Sequence, residues 1–215
     1  LISFALRQRY LTKPFLNLSV LRYRGYIPAL LLTGISYSGL IIATVILPLY
    51  YQNVFKVSPL WSGLLLVPAA FILSRLNPVA GKLLGKLGLK RLVWIGMALL
   101  TAGFSLLGTF GAKSLLLCVL GGICLESGNA FVMMPAITAA NNALPKDLMS
   151  HGTALITTMR QVIGAASVVV ASSLITVLAN SRPYHQALAQ TSLWLLLLPL
   201  IGIGLGAFLQ TKKAA

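Results

Sequence analysis

"GYIPALLLTGISYSGLIIATVILPLYYQNVF", residues 25 to 55, runs for 31 residues between Arg24 and Lys56 without one charged side chain. A helix crosses the hydrocarbon layer of a bilayer with about 20 apolar residues, so this stretch is long enough for a membrane span. The pattern repeats along the chain. Val57 to Ala80 forms a second span with one charge, Arg75, and Leu92 to Ala112 a third with none. A fourth covers most of Ser114 to Leu144, contains Glu126 and is expected to kink at Pro135. A fifth, Thr153 to Leu178, holds Arg160, and a sixth runs from Ala189 to Leu209. The expected fold is all-α and integral to the membrane: six transmembrane helices with both ends on one side.

Composition agrees, at 58% apolar and 9% charged residues against roughly 45 to 50% apolar in a soluble domain. Seventeen Lys and Arg against two acids leave a net charge of +15. In a soluble protein that balance points to nucleic acid, but here the cations sit in brief links between bilayer-length runs, so the expected partner is the lipid bilayer and no nucleic acid. Placing the link "GKLLGKLGLKRL", residues 81 to 92, in the cytoplasm puts twelve cations there: Arg7, Arg9, Lys13, Arg22, Arg24, Lys82, Lys86, Lys90, Arg91, Lys146, Lys212 and Lys213. Lys56, Lys113 and Arg182 fall outside, and this bias predicts a cell-membrane protein with both chain ends cytoplasmic. Tyr50, Tyr51, Trp61 and Trp194 at outer span ends, and Trp94 at an inner one, read as headgroup anchors.

The opening "LISFAL" reads as the end of a preceding helix in a cut or partial chain. Residues 1–25 are then a cytoplasmic connector carrying that helix end, 26–210 a six-helix bundle, and 211–215 a cytoplasmic tail.

"NPVAGKLLGKLGLKR", Asn77 to Arg91, resembles the loop signature of the major facilitator superfamily, G-x-x-x-D-[RK]-x-G-[RK]-[RK], through Gly81, Lys82, Lys86, Gly88, Lys90 and Arg91. Gly85 stands at the position of its Asp and Leu89 at the first of its closing cations. Without the carboxylate that latches the loop in the family, the loop is expected to act as an orientation anchor. "VMMPAITAANNALPKDLMSHGTALITTMRQVIGAA", Val132 to Ala166, is similar to the late segment of the fourteen-helix multidrug:proton antiporters of the lincomycin-resistance and quaternary-ammonium exporter type. "RQRYLTKPFLNLSVLRYRGY", Arg7 to Tyr26, resembles the connector before the last six helices of that branch.

The resemblance implies one half, the C-terminal one, of a two-half fold that rocks about a midplane site. Spans one and four would face the cavity, two and five the other half, and three and six the lipid. It also implies part of a secondary active transporter exporting drugs or other lipophilic compounds in exchange for protons. The implied partners are small lipophilic or cationic substrates, protons and the missing N-terminal half. The alternative is a half-size membrane protein that dimerises into a transporter or serves as a scaffold.

A charge at the bilayer centre costs on the order of 3 kcal/mol, so Arg75, Glu126 and Arg160 need reasons. Arg75 lies six residues before Gly81 and is expected to snorkel to the inner interface. Rise along their helices brings Glu126 and Arg160 to similar depths, where two roles stay open. A carboxylate without a partner can carry a proton, whereas one paired with a guanidinium stays ionised. Glu126, Asn129 and Met133 share one helix face, as do Thr33, Tyr37 and Thr44, and these six are the candidate lining of a substrate cavity. Gly202 and Gly206 form GxxxG, read as close packing inside the bundle.

An enzyme is not expected. His151 and His185 fall on opposite sides, and Asp147, Ser150 and His151 lie in one short link read as solvated. Cys118 and Cys124, six apart on one helix, point roughly 120° away from each other and cannot bridge. No catalytic set, metal site or cofactor is expected.

Overall fold

The structure, a computed structural model, describes residues 17–207. A 3-10 turn, Leu18–Arg22, is capped by the Asn17 side chain, which accepts from Ser19 N at 3.0 Å. The helices follow as α1 (Tyr26–Leu49, extended by a π turn Tyr50–Val54), α2 (Pro59–Phe110) and α3 (Leu115–Asn142). A 3-10 turn, Lys146–Leu148, leads into α4 (Met149–Ala179), followed by α5 (Tyr184–Trp194) and α6 (Leu197–Ala207). The N-terminal connector before residue 17, with Arg7, Arg9 and Lys13, and the tail with Lys212 and Lys213 lie outside the described residues.

Among the described residues five helical runs are long and apolar enough to cross a membrane: Tyr26–Val54, Pro59–Phe110, Leu115–Asn142, Lys146–Ala179 and Tyr184–Ala207. The second is exceptional. At 1.5 Å rise per residue its 52 residues would extend about 78 Å, more than twice the hydrocarbon thickness. It is broken at Gly88, whose φ of 76° and ψ of 161° lie where a Cβ is not tolerated. The expected link of residues 81–92 therefore contracts to one glycine, with Lys and Leu, good helix formers, carrying helix up to it from both sides. Lys82 and Lys86 end the first arm (59–87), and Lys90 and Arg91 begin the second (89–110). At Pro135 the expected kink does not interrupt α3. The last two spans start earlier than expected, at Met149 and Tyr184, and the sixth is divided near Leu195 into α5 and α6.

Glycines decide how the helices meet. A methyl on Gly96 would stand 2.7 Å from the Gly128 carbonyl oxygen, and one on Gly103 2.9 Å from that of Gly121. Seven residues is close to two turns, so both contacts fall on one face of each helix, and the second arm of α2 runs antiparallel to α3 with backbones nearly touching. α1 packs on the adjoining face of α3, with Leu47 on Gly122 and Ser36 beside Asn129. α4 lies along α1, with Ile163 on Gly34 and Tyr37 on Gly164. The GxxxG glycines of α6 receive Met97 and Trp94 of α2, which is packing inside the bundle. Ile42, Ile46, Leu100, Phe104, Leu107 and Leu125 fill the main core, and Tyr26, Leu30, Leu144, Leu155 and Ile156 a smaller one where the starts of α1 and α4 meet the end of α3.

Two readings of the sequence are corrected. Tyr50 and Tyr51 are not interfacial anchors: they are 0% and 1% exposed, and Tyr50 Oη donates to Leu107 O at 2.9 Å. The π turn that begins at Tyr50 widens the helix after Pro48 and turns these rings into the bundle. Arg75 does not reach toward Gly81. Its guanidinium lies 5.2 Å over the Phe71 ring, one turn the other way, because long side chains on a helix lean toward its N-terminus. Trp61, Trp94 and Trp194 are exposed.

The packing yields a direct test. Gly128→Ala overpacks a backbone contact and is expected to cost about 1 to 3 kcal/mol. Gly204→Ala, where no atom lies within 4 Å, is expected to be neutral. Thermal unfolding of both variants in detergent, read by circular dichroism, checks the contrast.

Candidate functional site

The candidate residues gather where α1, α3 and α4 adjoin, but not in the pairs the sequence suggested. Glu126 and Asn129 are buried on α3, 6% and 1% exposed. Asn129 Oδ1 accepts from Ser36 Oγ at 2.6 Å, while Asn129 Nδ2 and Glu126 Oε2 have no hydrogen-bond partner among the described residues. Met133, two turns beyond Glu126, is half-buried and meets Arg160 of α4, whose Nη1 lies 3.7 Å from the sulfur. The Arg160 guanidinium also stands 4.8 Å over the Tyr37 ring, and its Nε is buried without a partner among the described residues.

Glu126 and Arg160 thus form no ion pair in this structure. Arg160 stands opposite Met133, seven residues or about 10 Å of helix rise from Glu126. The depth estimate placed them too close because each was measured from its own helix end.

The face proposed on α1 divides. Thr33 is fully buried and its hydroxyl donates to Leu30 O at 2.7 Å, whereas Thr44 is exposed and donates to Ile41 O at 2.7 Å. Both hydroxyls are satisfied within their own helix. Tyr37, between them, is half-buried and donates to Gln161 Oε1 at 2.8 Å. Neighbouring helices cover α1 unevenly along its length, so residues in phase on the helix end in different surroundings.

Three contributors escaped the sequence reading: Ser36, Gln161 and the pair in which Ser167 Oγ donates to Ser38 Oγ at 2.7 Å. Small polar residues interleaved with Gly34 and Gly39 were the available signal, because close helix approach is where such hydroxyls find partners across the contact. The link around Asp147 also differs from expectation. Ser150 and His151 belong to α4, and His151 Nδ1 accepts from Asn17 N at 3.4 Å.

The outer face of α4 is polar over three turns: Thr153, Thr157, Thr158 and Gln161 are exposed, in a helix of membrane length. The threonine hydroxyls donate to carbonyls four residues back, including Thr157 to Thr153 O at 2.9 Å and Thr158 to Ala154 O at 3.0 Å. An open depression of about 680 Å³ runs along its start, lined by Met149, Ser150, Thr153, Ala154, Thr157 and Thr158. Beyond Gln161 the exposed side chains of α4 include Val162, Val169, Val170 and Val177, and those of α6 include Leu197, Leu200 and Ile201, so the polar character belongs to the first part of α4.

Five helical runs of this length and apolarity make the chain a multi-pass membrane protein. Its residues 3–168 match the Major Facilitator Superfamily, and the chain belongs to that family of transporters. It is 32% identical over 189 residues to the lincomycin resistance protein LmrB of Listeria innocua, covering 87% of this chain and 39% of that protein. It is 31% identical over 175 residues to the lincomycin resistance protein LmrB of Bacillus subtilis, covering 81% of this chain and 36% of that protein. With the multidrug resistance protein B homolog of Mycobacterium tuberculosis it shares 28% identity over 212 residues, 95% of this chain and 38% of that protein. The chain therefore spans under two-fifths of the length of these relatives.

Separation of the two charges has a measurable consequence. Groups that do not touch add independently, so the stability losses of Glu126→Gln and Arg160→Gln are expected to sum in the double variant to within about 0.5 kcal/mol. Unfolding of the three variants in detergent would show a larger, favourable coupling if the charges were paired.

Proposed function

We propose that this chain is the C-terminal half of a secondary active transporter that exports lipophilic compounds, drugs among them, in exchange for protons. The observation that carries this reading is the polar outer face of α4. Its threonines are satisfied by their own helix, but the exposed Gln161 amide and the Arg160 guanidinium on a membrane-length helix are costly against lipid and are satisfied against a water-filled cavity or a second protein half. Relatives named for lincomycin and multidrug resistance, of which this chain spans less than two-fifths, supply the class of cargo and leave room for that second half.

In this reading the two arms of α2, each long enough for a bilayer, cross separately, so that six crossings return the chain to its starting side. The end of the bundle bearing Lys82, Lys86, Lys90, Arg91 and Lys146 is cytoplasmic by the positive-inside rule, as are both chain termini. The basic residues flanking Gly88 hold that orientation. Spans one and four line the cavity through Tyr37 and Met133, two and five meet the other half, with the polar first part of five (α4) bordering the water of the cavity, and three and six meet lipid.

Glu126 is the proton carrier of this half. It is buried, its Oε2 has no partner among the described residues, and no cation neutralises it there, which favours a protonatable group over a structural ion pair.

The test is efflux from proteoliposomes under an imposed pH gradient, using the transporter reassembled from this chain and the N-terminal portion its relatives possess. Glu126→Gln is expected to fold normally and lower gradient-driven efflux at least tenfold. This chain alone is expected to move no substrate, because a site built by two halves then lacks one wall. Efflux by Glu126→Gln at the parent rate would remove the carrier role, and transport by the chain alone would remove the two-half reading.

A further inference from the structure

Arg160 is a buried-edge cation with poor company. Its partners are the face of Tyr37 at 4.8 Å and the Met133 sulfur at 3.7 Å, and among the described residues its Nε has no acceptor. A ring face and a thioether are weak partners for a guanidinium, which carries five N–H donors in a fork matched to two oxygens. Neither acid of the chain supplies those oxygens: Glu126 is about 10 Å of rise away inside the bundle, and Asp147 is exposed in the link before α4.

Beside the guanidinium, Gln161 is oriented by Tyr37. Because the tyrosine hydroxyl donates to Oε1 at 2.8 Å, the Gln161 amide keeps its two N–H donors for another acceptor. Tyr37 is itself seated on Gly164, where a methyl would stand 2.8 Å from the ring. One ring thus holds both donor groups from α4, while the half-buried Met133 adds an adaptable apolar surface.

We propose that the surface built from Tyr37, Met133, Arg160 and Gln161 binds an acidic lipophilic ligand, its carboxylate on Arg160 and Gln161 and its apolar body against Met133 and Tyr37. A ligand carboxylate offers the charge and the paired acceptors that the guanidinium lacks. A cationic ligand meets an unneutralised guanidinium here and is disfavoured. That this ligand is cargo rests on the transporter reading above; the binding site itself does not.

Equilibrium binding to this chain in nanodiscs of zwitterionic lipid tests the proposal, with 2-naphthoate and 2-naphthylmethylammonium as probes and empty nanodiscs subtracted. The chain is expected to bind the carboxylate at least tenfold more tightly than the ammonium. Arg160→Gln is expected to lose about tenfold or more in carboxylate affinity with ammonium binding within twofold. Arg160→Lys, which keeps the charge but not the fork, and Gln161→Ala are expected to fall between. Equal binding of the probes, preference for the ammonium, or carboxylate affinity unchanged in the variants would overturn it. Should Arg160→Gln not fold, Arg160→Lys and Gln161→Ala decide by the same ratio. Carboxylate selectivity in nanodiscs without gradient-driven efflux from the reassembled transporter would remove the transporter reading and leave the site. Efflux without that selectivity would do the reverse.

Discussion

Within a bilayer the lipid tails are as apolar as leucine, so helices are held by close packing rather than by exclusion of water. The contact that fixes this bundle is the double glycine crossing of α2 and α3, Gly96 on Gly128 and Gly103 on Gly121. It lets two backbones approach where any Cβ would push them apart, and it sets the rotation of α3 about its own axis. With that rotation set, Leu125 faces the core, and Asn129 meets Ser36 of α1. Gly88 makes the crossing possible, since the second arm of α2 can lie against α3 only if the 52-residue run is broken there.

α4 is held differently. Small side chains seat it against α1, through Gly34 and Ile163, Tyr37 and Gly164, and the hydroxyl pair Ser38 and Ser167. Its remaining surface is open, polar from Thr153 to Gln161 and mixed beyond, where Val162, Val169, Val170 and Val177 are exposed. Its exposed threonines are satisfied by their own backbone, and its guanidinium, stacked on tyrosine, is open on one side. Glu126, on the tightly packed α3, has no such access. The two residues therefore occupy distinct environments: the Glu126 carboxyl is buried inside the bundle, and the Arg160 guanidinium lies half-buried at its edge.

Much of this was legible in the sequence, because bilayer length and charge placement dictate where helices begin and end. The uncharged run before Lys56 is a helix, and the GxxxG of α6 packs inside the bundle as its small residues suggest. What eluded the pattern was rotation. Tyr50 and Tyr51 read as interfacial rings until a π turn swings them inward, and Thr33, Tyr37 and Thr44 share a face yet differ in cover. Arg75 leans by the general direction of helical side chains, not by distance to the nearer water layer. The ion pair of Glu126 and Arg160 fails for the same reason: rise gives depth along one helix, while the partner is chosen by which helix faces it.

The most direct test of a polar, cavity-facing α4 is accessibility in the membrane. In the reassembled transporter with Cys118 and Cys124 replaced by serine, single cysteines would be introduced as Thr157→Cys, Gln161→Cys, Leu200→Cys and Ile201→Cys and exposed to a water-soluble maleimide. Labelling at positions 157 and 161 with protection at 200 and 201 is the predicted result. Protection at 157 and 161, matching that of the α6 positions, would place α4 against lipid and contradict it.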